Sequence, residues 1–362
     1  MSTEYFTRRQ EKLRTALGKQ KVDGMLITNI IHIRYLCGFT GSSGSLLMGP
    51  DSCEFITDGR YVIQSKNEVR GANITIDSIP HLHIIKNNNF LPKDSTIAFD
   101  GKHVSHQMFT DINETLSHVK WKNIVGCIET LAMQKDSKEI EALKTAVEIT
   151  DKAFSEVLPM VKIGVEEQEI ANQLSFLYRK YGDSDADAFP PIVGSGPHSA
   201  MPHQRPTDKK IGPGELVVID SGAKYAGYHA DMTRTVATKG YSEKQKEIYH
   251  IVLEAQLKSI EGIKAGVSCK EVDMLARDHI SGAGYGKYFD HGLGHSLGLE
   301  IHEDPRFSKV STDYLKPNYV MTVEPGIYIE DIGGVRIEDD IVVTDNGCIV
   351  LNKTSKDFTV IS

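Results

Sequence analysis

The sequence predicts an α+β protein in two parts, an N-terminal α/β accessory domain over residues 1–130 and a larger domain over residues 131–362. Three observations carry this. Strand-like and helix-like pieces alternate through the first part; strand signals stop between Ile128 and Lys135, where an amphipathic helix begins; and a short internal repeat marks the remainder. At 362 residues the chain is also longer than one ordinary core.

The elements follow in order. "RRQEKLRTALGKQKVDG" reads as a helix ending at a glycine, and "GMLITN" as a buried strand. "SLLMGPDSCEFIT" reads as a strand pair around a Gly-Pro turn, and "STIAFDG" as a further strand. In "DSKEIEALKTAVEITDKAFSEVL", Ile140, Leu143, Val147, Phe154 and Val157 fall on one helical face, with Asp136 and Glu139 spaced for a capping box. Beyond it "KIGVEEQEI" (Lys162 to Ile170) resembles "KAGVSCKEV" (Lys264 to Val272), each following one helix and opening another. Such a duplication predicts two similar halves facing each other, with a cleft on the pseudo-twofold axis.

Bulk properties narrow the class. With 40% hydrophobic and 25% charged residues the composition is that of a water-soluble globular protein. A net charge of −8 disfavours nucleic acid as a partner. No apolar run approaches the roughly 20 residues needed to span a bilayer. "MSTEYFTRRQEKLR" lacks the apolar centre of a signal peptide. Cys37, Cys53, Cys127, Cys269 and Cys348 are far apart and contain no CxxC, which predicts reduced thiols in a cytoplasmic protein and excludes a cysteine-built zinc site.

Four carboxylates sit where buried strands should be apolar. Asp220 ends the run in "ELVVIDSG", Asp231 lies inside "GYHADMTRTVA", Glu324 ends "NYVMTVEPG", and Glu338 is set among Val335, Ile337, Ile341 and Val342. Alternation places Arg336, Glu338 and Asp340 on one face. A buried carboxylate must be paired or bound to a cation, and the nearby bases, chiefly Arg234 and Arg336, cannot neutralise all four. Four negative charges match two divalent cations. With one neutral imidazole the donor set suits manganese, cobalt or zinc in a paired catalytic site, rather than a closed structural zinc.

Histidines supply that imidazole. "HGLGHSLGLEIHE" places His291, His295 and His302 in one short stretch, and Gly292, Gly294 and Gly298 argue for backbone passing close to something rather than for a helix. Spacing alone does not choose among the three. The loop "GSGPHSAMPHQRPTD" adds His198 and His203, on whose roles composition is indifferent.

In their order along the chain, Asp220, Asp231, His295, Glu324 and Glu338 resemble the metal-binding set of the "pita-bread" (creatinase/aminopeptidase) metallopeptidases. The stretches "SGPHSAMPH", "VVIDSGAKYAGYHADMTRT", "HGLGHSLGLEIHE", "TVEPGIY" and "GGVRIEDD" are similar to its Xaa-Pro branch, which holds aminopeptidase P and prolidase, and "HIRYLCGFTGSSGSLL" resembles the accessory domain of that branch. The resemblance implies a C-terminal pita-bread domain of two pseudo-twofold halves and two divalent ions, manganese first, with cobalt or zinc as alternatives. Asp220 would hold one ion, His295 and Glu324 the other, and Asp231 and Glu338 both.

It further implies that His302 faces the scissile carbonyl and that Glu324 carries the proton from the attacking water to the leaving nitrogen. His203 would serve both catalysis and the substrate pocket. His291 would line that pocket, Arg306 would bind a substrate carboxylate, and Thr233 and Arg336 would orient the ligands. Glu300 and Glu303 are read as structural acids. The implied partner is a proline-containing peptide, and the implied assembly a homodimer. "RYLCGFTGSSG" and "HEDPRF" resemble the short bacterial aminopeptidase P forms more than prolidase, so Xaa-Pro aminopeptidase is the preferred activity. Xaa-Pro dipeptidase is the alternative, and a non-enzymatic peptide-binding module of this fold the remote one.

Overall fold

The helix expected after Asp136 opens the second of two units into which the chain divides, Met1–Ala132 and Met133–Ser362. The computed structural model describes residues 3–182 and 187–361.

In the first unit a six-stranded mixed sheet runs in the order Asn73–Ile76, Cys53–Thr57, Ser45–Met48, Gly24–Ile27, Thr96–Phe99, Lys120–Asn123. The apolar run "GMLI" forms a strand buried on both faces, antiparallel to Ser45–Met48 and parallel to Thr96–Phe99. The expected strand pair closes through a turn in which Gly49 N donates to Ser52 O at 3.0 Å. Leu26, Leu47, Ile56, Ile84, Ile97 and Ile112 pack one core of this unit. The two edge strands escaped the sequence reading because "NITI" and "KWKN" are only partly buried, so neither carries a strong apolar signal.

In the second unit the capping box forms as spaced: the Asp136 carboxylate accepts from the amides of Lys138 and Glu139, and Glu139 accepts from that of Asp136. The helix Ser137–Val157 buries Leu143, Val147, Phe154 and Val157, with Ile140 partly covered. Two similar halves follow. Each has a pair of helices, Ser137–Val157 with Glu167–Tyr181 and Glu243–Gly262 with Cys269–Gly282. Each also has a sheet, ordered Val360–Ile361, Met232–Thr238, Leu216–Ser221, Ile192–Ser195 in the first half. In the second half the order is Glu303–Phe307, Gly294–Ser296, Val320–Val323, Asp339–Val343, Cys348–Val350.

The repeat is structural in detail. Val165 N donates to Lys162 O at 3.2 Å and Val267 N to Lys264 O at 3.3 Å; Gly164 N meets Ile211 O at 2.8 Å and Gly266 N meets Leu315 O at 2.9 Å. Both glycines hold positive φ, 92° and 87°, which explains why the two segments share a glycine there. Each half contributes one carboxylate at the end of an inner strand, Asp220 or Glu324. Each contributes another just before the next strand, Asp231 or Glu338. The duplication therefore delivers four acids to one place. Among the described residues no helix is long and apolar enough to cross a membrane.

Candidate metal centre

Strand pairing sets the acids side by side. Thr233 lies opposite Asp220 in the ladder between Leu216–Ser221 and Met232–Thr238. Across the halves Glu338 N donates to Thr233 O at 3.1 Å, and the Thr233 hydroxyl donates to Glu338 Oε2 at 2.6 Å. Asp231 N donates to Asp340 Oδ2 at 2.9 Å, which fixes the entry to its strand. Thr322 accepts from His295 N at 3.0 Å and donates to Glu324 Oε1 at 3.1 Å, aligning those two side chains. His295 Nε2 then lies 3.4 Å from Glu324 Oε1 and 3.7 Å from Asp231 Oδ2.

The glycines of "HGLGHSLG" make this approach feasible. A side chain at Gly294 would collide with the backbone of Thr322, and one at Gly298 with the carboxylate of Glu303. The close neighbour that the sequence implied is thus the protein's own strand and turn.

Protonation states follow from the contacts. His295 Nδ1 faces the carbonyl of Ser296 at 3.0 Å, so that nitrogen carries the proton and Nε2 presents a lone pair to the carboxylates. Burial lowers the pKa of His295 to about 4, aided by His302 and Arg306, and keeps the ring neutral. Burial, then repulsion from Glu338 and Asp220, raises Asp231 well above the usual carboxylate range. Glu338 is raised in the same way, by burial and then by Glu324 and Asp220. Glu324 is raised to about 7 by burial, with Arg336 opposing and Asp220 adding.

Three of these acids keep one oxygen in reserve. Asp220 Oδ1, Asp231 Oδ1 and Glu338 Oε1 are buried and accept no hydrogen bond from any described residue. For Asp220 and Glu338 the other oxygen is held, by Arg336 at 2.6 Å and by Thr233. Buried acceptors without donors are costly unless a cation faces them. Asp231, His295 and Glu338 bring donor atoms within 4.8 Å of one another. The set fits divalent cations, which oppose the upward pKa shifts.

Only one of the two expected bases pairs with a carboxylate of the candidate ligand set. Arg336 donates to Asp220, to Thr233 Oγ1 at 3.0 Å, to Tyr328 OH at 2.8 Å and to Pro202 O at 3.3 Å. Arg234 donates to the main-chain carbonyls of Thr233 and Glu338, and its ion pair is with Asp339 at 2.7 Å. A cavity of about 860 Å³ opens over the acids, lined by His203, His291, His302, Arg306 and Tyr328 among others. The His302 ring stands edge-on to His295 with centroids 4.5 Å apart, and partial burial with Arg306 and His203 lowers its pKa. His291 donates from Nδ1 to Gly292 O and accepts at Nε2 from Tyr328 OH at 3.2 Å; burial and then Arg336 lower it to about 4. Arg306 lies opposite His295 in the strand ladder and is largely exposed, with Asp304 as a 3.7 Å partner.

His198 does not line this cavity; its Nδ1 is held by Glu167 at 3.0 Å. Asp340 and Thr322 were not given roles from the sequence, and neither was Tyr328. Tyr328 had a signal: its ring lies opposite Gly334, in the "GIY" and "GGV" motifs, where a side chain would crowd it.

A second cluster lies in the first unit, where His103 Nε2 and His32 Nε2 stand 3.0 and 3.6 Å from the Glu129 carboxylate. It is poorly suited to a cation. Asn29 Oδ1 accepts from the amides of Ile31 and His32, so its NH₂ donates to His103 Nδ1 at 2.8 Å. That leaves the His103 proton on Nε2, the nitrogen a metal would need. The Lys102 ammonium, 3.6 Å from Glu129, adds repulsion.

Comparison with known proteins gives the family of both units. The Metallopeptidase family M24 model matches residues 141–345, and the Creatinase/Prolidase N-terminal domain model matches residues 9–134. The chain belongs to metallopeptidase family M24. It is a hydrolase with the pita-bread domain behind a creatinase-type N-terminal domain. It is 40% identical to a protein of Bacillus subtilis named "Uncharacterized peptidase YqhT", over 97% of this chain and 99% of that one. It is 37% identical to the Xaa-Pro dipeptidase of Pyrococcus furiosus, over 97% and 99%. The Xaa-Pro dipeptidase structure from Bacillus anthracis superposes with a TM-score of 0.95 at 40% identity, covering 98% of this chain and all of that one. The X-Pro aminopeptidase structure from Thermotoga maritima gives 0.89 at 38%, covering 97% and 99%.

Proposed function

We propose that this M24 peptidase is an Xaa-Pro dipeptidase, acting with two divalent ions held by Asp220, Asp231, His295, Glu324 and Glu338. The observation that carries the metal-dependent reading is the set of buried carboxylate oxygens without donors around the His295 lone pair. Aminopeptidase P, preferred from "RYLCGFTGSSG" and "HEDPRF", gives way to its alternative. Full-length relatives from two Pyrococcus species and the Bacillus anthracis structure carry the name Xaa-Pro dipeptidase. The motifs themselves surround machinery common to both activities, so they do not measure substrate length.

The ions, when bound, supply Lewis acidity and ease deprotonation of water at neutral pH. The chain does the rest. Glu324, beside His295, accepts the proton of the attacking water and returns it to the leaving nitrogen. His302 donates a hydrogen bond to the carbonyl oxygen as negative charge builds there. In an Xaa-Pro bond the leaving nitrogen has no N–H, so the site recognises shape, with Tyr328 and Ile192 offering apolar surface in the cavity. Neutral His291 and exposed His203 flank the substrate, and Arg306 is available to pair with the carboxylate that directly follows proline in a dipeptide. Manganese, cobalt and zinc all suit the donors.

Turnover of an Xaa-Pro dipeptide and of an Xaa-Pro-Xaa tripeptide after manganese loading tests the reading. The dipeptide is cleaved and the tripeptide is not; cleavage of the tripeptide alone restores the aminopeptidase assignment.

A further inference from the structure

Glu303 follows His302 in sequence, and its carboxylate organises the turn that carries that histidine. Oε2 accepts from Lys135 Nζ at 2.6 Å, and Oε1 accepts from Glu300 N at 3.2 Å. The same carboxylate packs so closely on Gly298 that a Cβ there would lie 2.5 Å from Oε1. On its other flank the turn is held through Gly298 O, which accepts from His229 N at 2.9 Å and His229 Nδ1 at 3.0 Å. His229 stands two residues before Asp231, so the turn is referenced to the acids.

Lys135 is itself an anchored point. It is 2% exposed, its amide donates to Asn318 O at 3.0 Å, and the neighbouring Gln134 side chain donates to Pro317 O at 3.0 Å. Those carbonyls lie just before the strand Val320–Val323, which leads directly into Glu324. A chain of direct contacts therefore runs from the segment leading to Glu324, through Lys135, to Glu303 beside His302. An ammonium this deeply buried is tolerated only when it is paired, and removing the Glu303 carboxylate takes away an ion pair of 2.6 Å. His302 precedes the strand Glu303–Phe307, whose pairing with Gly294–Ser296 shifts register between His295 and Ser296. The ladder alone therefore does not place it.

We propose that the Lys135–Glu303 ion pair is a positioning pair for His302, setting the reach of its ring toward the substrate carbonyl over the metal centre. The inference rests on the reading of His302 given above. The pair touches neither substrate nor ion and acts through the histidine.

The test is a kinetic cycle on the manganese-loaded full chain with an Xaa-Pro dipeptide, comparing the parent, Glu303→Gln, His302→Ala and the double variant. Metal content and melting temperature are recorded for each. Glu303→Gln lowers kcat by about ten- to a hundredfold, the loss expected of an ångström-scale misplacement, with KM and metal content near parental values. In the His302→Ala background the same change lowers kcat less than about twofold, because the two residues act as one unit. Equal fold-losses in both backgrounds, or parental kcat in Glu303→Gln beside a slow His302→Ala, overturn the positioning role. Parental kcat in His302→Ala overturns instead the reading of His302 on which it rests. If Glu303→Gln does not fold, Lys135→Met/Glu303→Gln, which removes both charges of the pair, takes its place with the same outcomes.

Discussion

Arg336 Nη2 donates to Asp220 Oδ2 at 2.6 Å, and both side chains are buried. This contact occupies one oxygen of Asp220 and leaves Oδ1 without a donor among the described residues. The same guanidinium holds Thr233, Tyr328 and the carbonyl of Pro202. One cation therefore sets a carboxylate of the proposed metal centre, the hydroxyl that holds Glu338, and the loop that carries His203.

Arg336→Lys keeps the charge but not the planar fork, so it cannot meet all four acceptors at once. Metal affinity or kcat/KM falls by about ten- to a hundredfold, the usual cost of losing a partner that orients ligands. Isothermal titration with manganese and steady-state kinetics check this; parental values for both would mean that the four contacts are incidental.

Tyr328→Phe keeps the ring against Gly334 and removes the hydroxyl that accepts from Arg336 and donates to His291. The loss is about 1–2 kcal/mol, read as a several-fold rise in KM for an Xaa-Pro dipeptide with melting temperature nearly unchanged. A parental KM would remove His291 and Tyr328 from the substrate wall.

The centre was legible because its acids offend a rule. Asp220 and Glu324 end apolar strands, and no sequence neighbour could neutralise them. The repeat around Gly164 and Gly266 was legible because both positions need positive φ. Side-chain direction was not. Arg234 and Arg336 look alike in sequence, yet the former serves Asp339 and only the latter reaches Asp220. His198 and His203 share a loop, and only tertiary packing gives the first to Glu167. Glu303 is read as a structural acid, and its partner, Lys135, is too remote in the chain for sequence to name.

Acid destabilises the first unit through His32. Burial lowers its pKa from 6.5 to about 4, outweighing Glu129 and Asp100, which oppose, while His103 and Lys102 add to the shift. The folded state thus favours the neutral ring: the stabilisation is full above pH 6.5 and is lost as pH falls toward 4. At about 1.4 kcal/mol per pH unit the loss is roughly 3 kcal/mol. Glu129, whose pKa is lowered, acts in the same direction at lower pH. The only tryptophan, Trp121, lies in this unit and reports its unfolding by fluorescence. In urea titrations between pH 6.5 and 4, His32→Gln flattens the dependence; a slope equal to the parent's would exclude His32 as its source.

We propose that the second unit holds paired divalent ions through His295 and four acids, with His302 outside the ligand set. Metal content after manganese loading and desalting, measured for the parent, His295→Ala and His302→Ala, tests this most directly. About two ions per chain are predicted for the parent, with at least one lost in His295→Ala and none lost in His302→Ala. A parent that retains no stoichiometric metal, or a His295→Ala variant that retains all of it, would contradict the account.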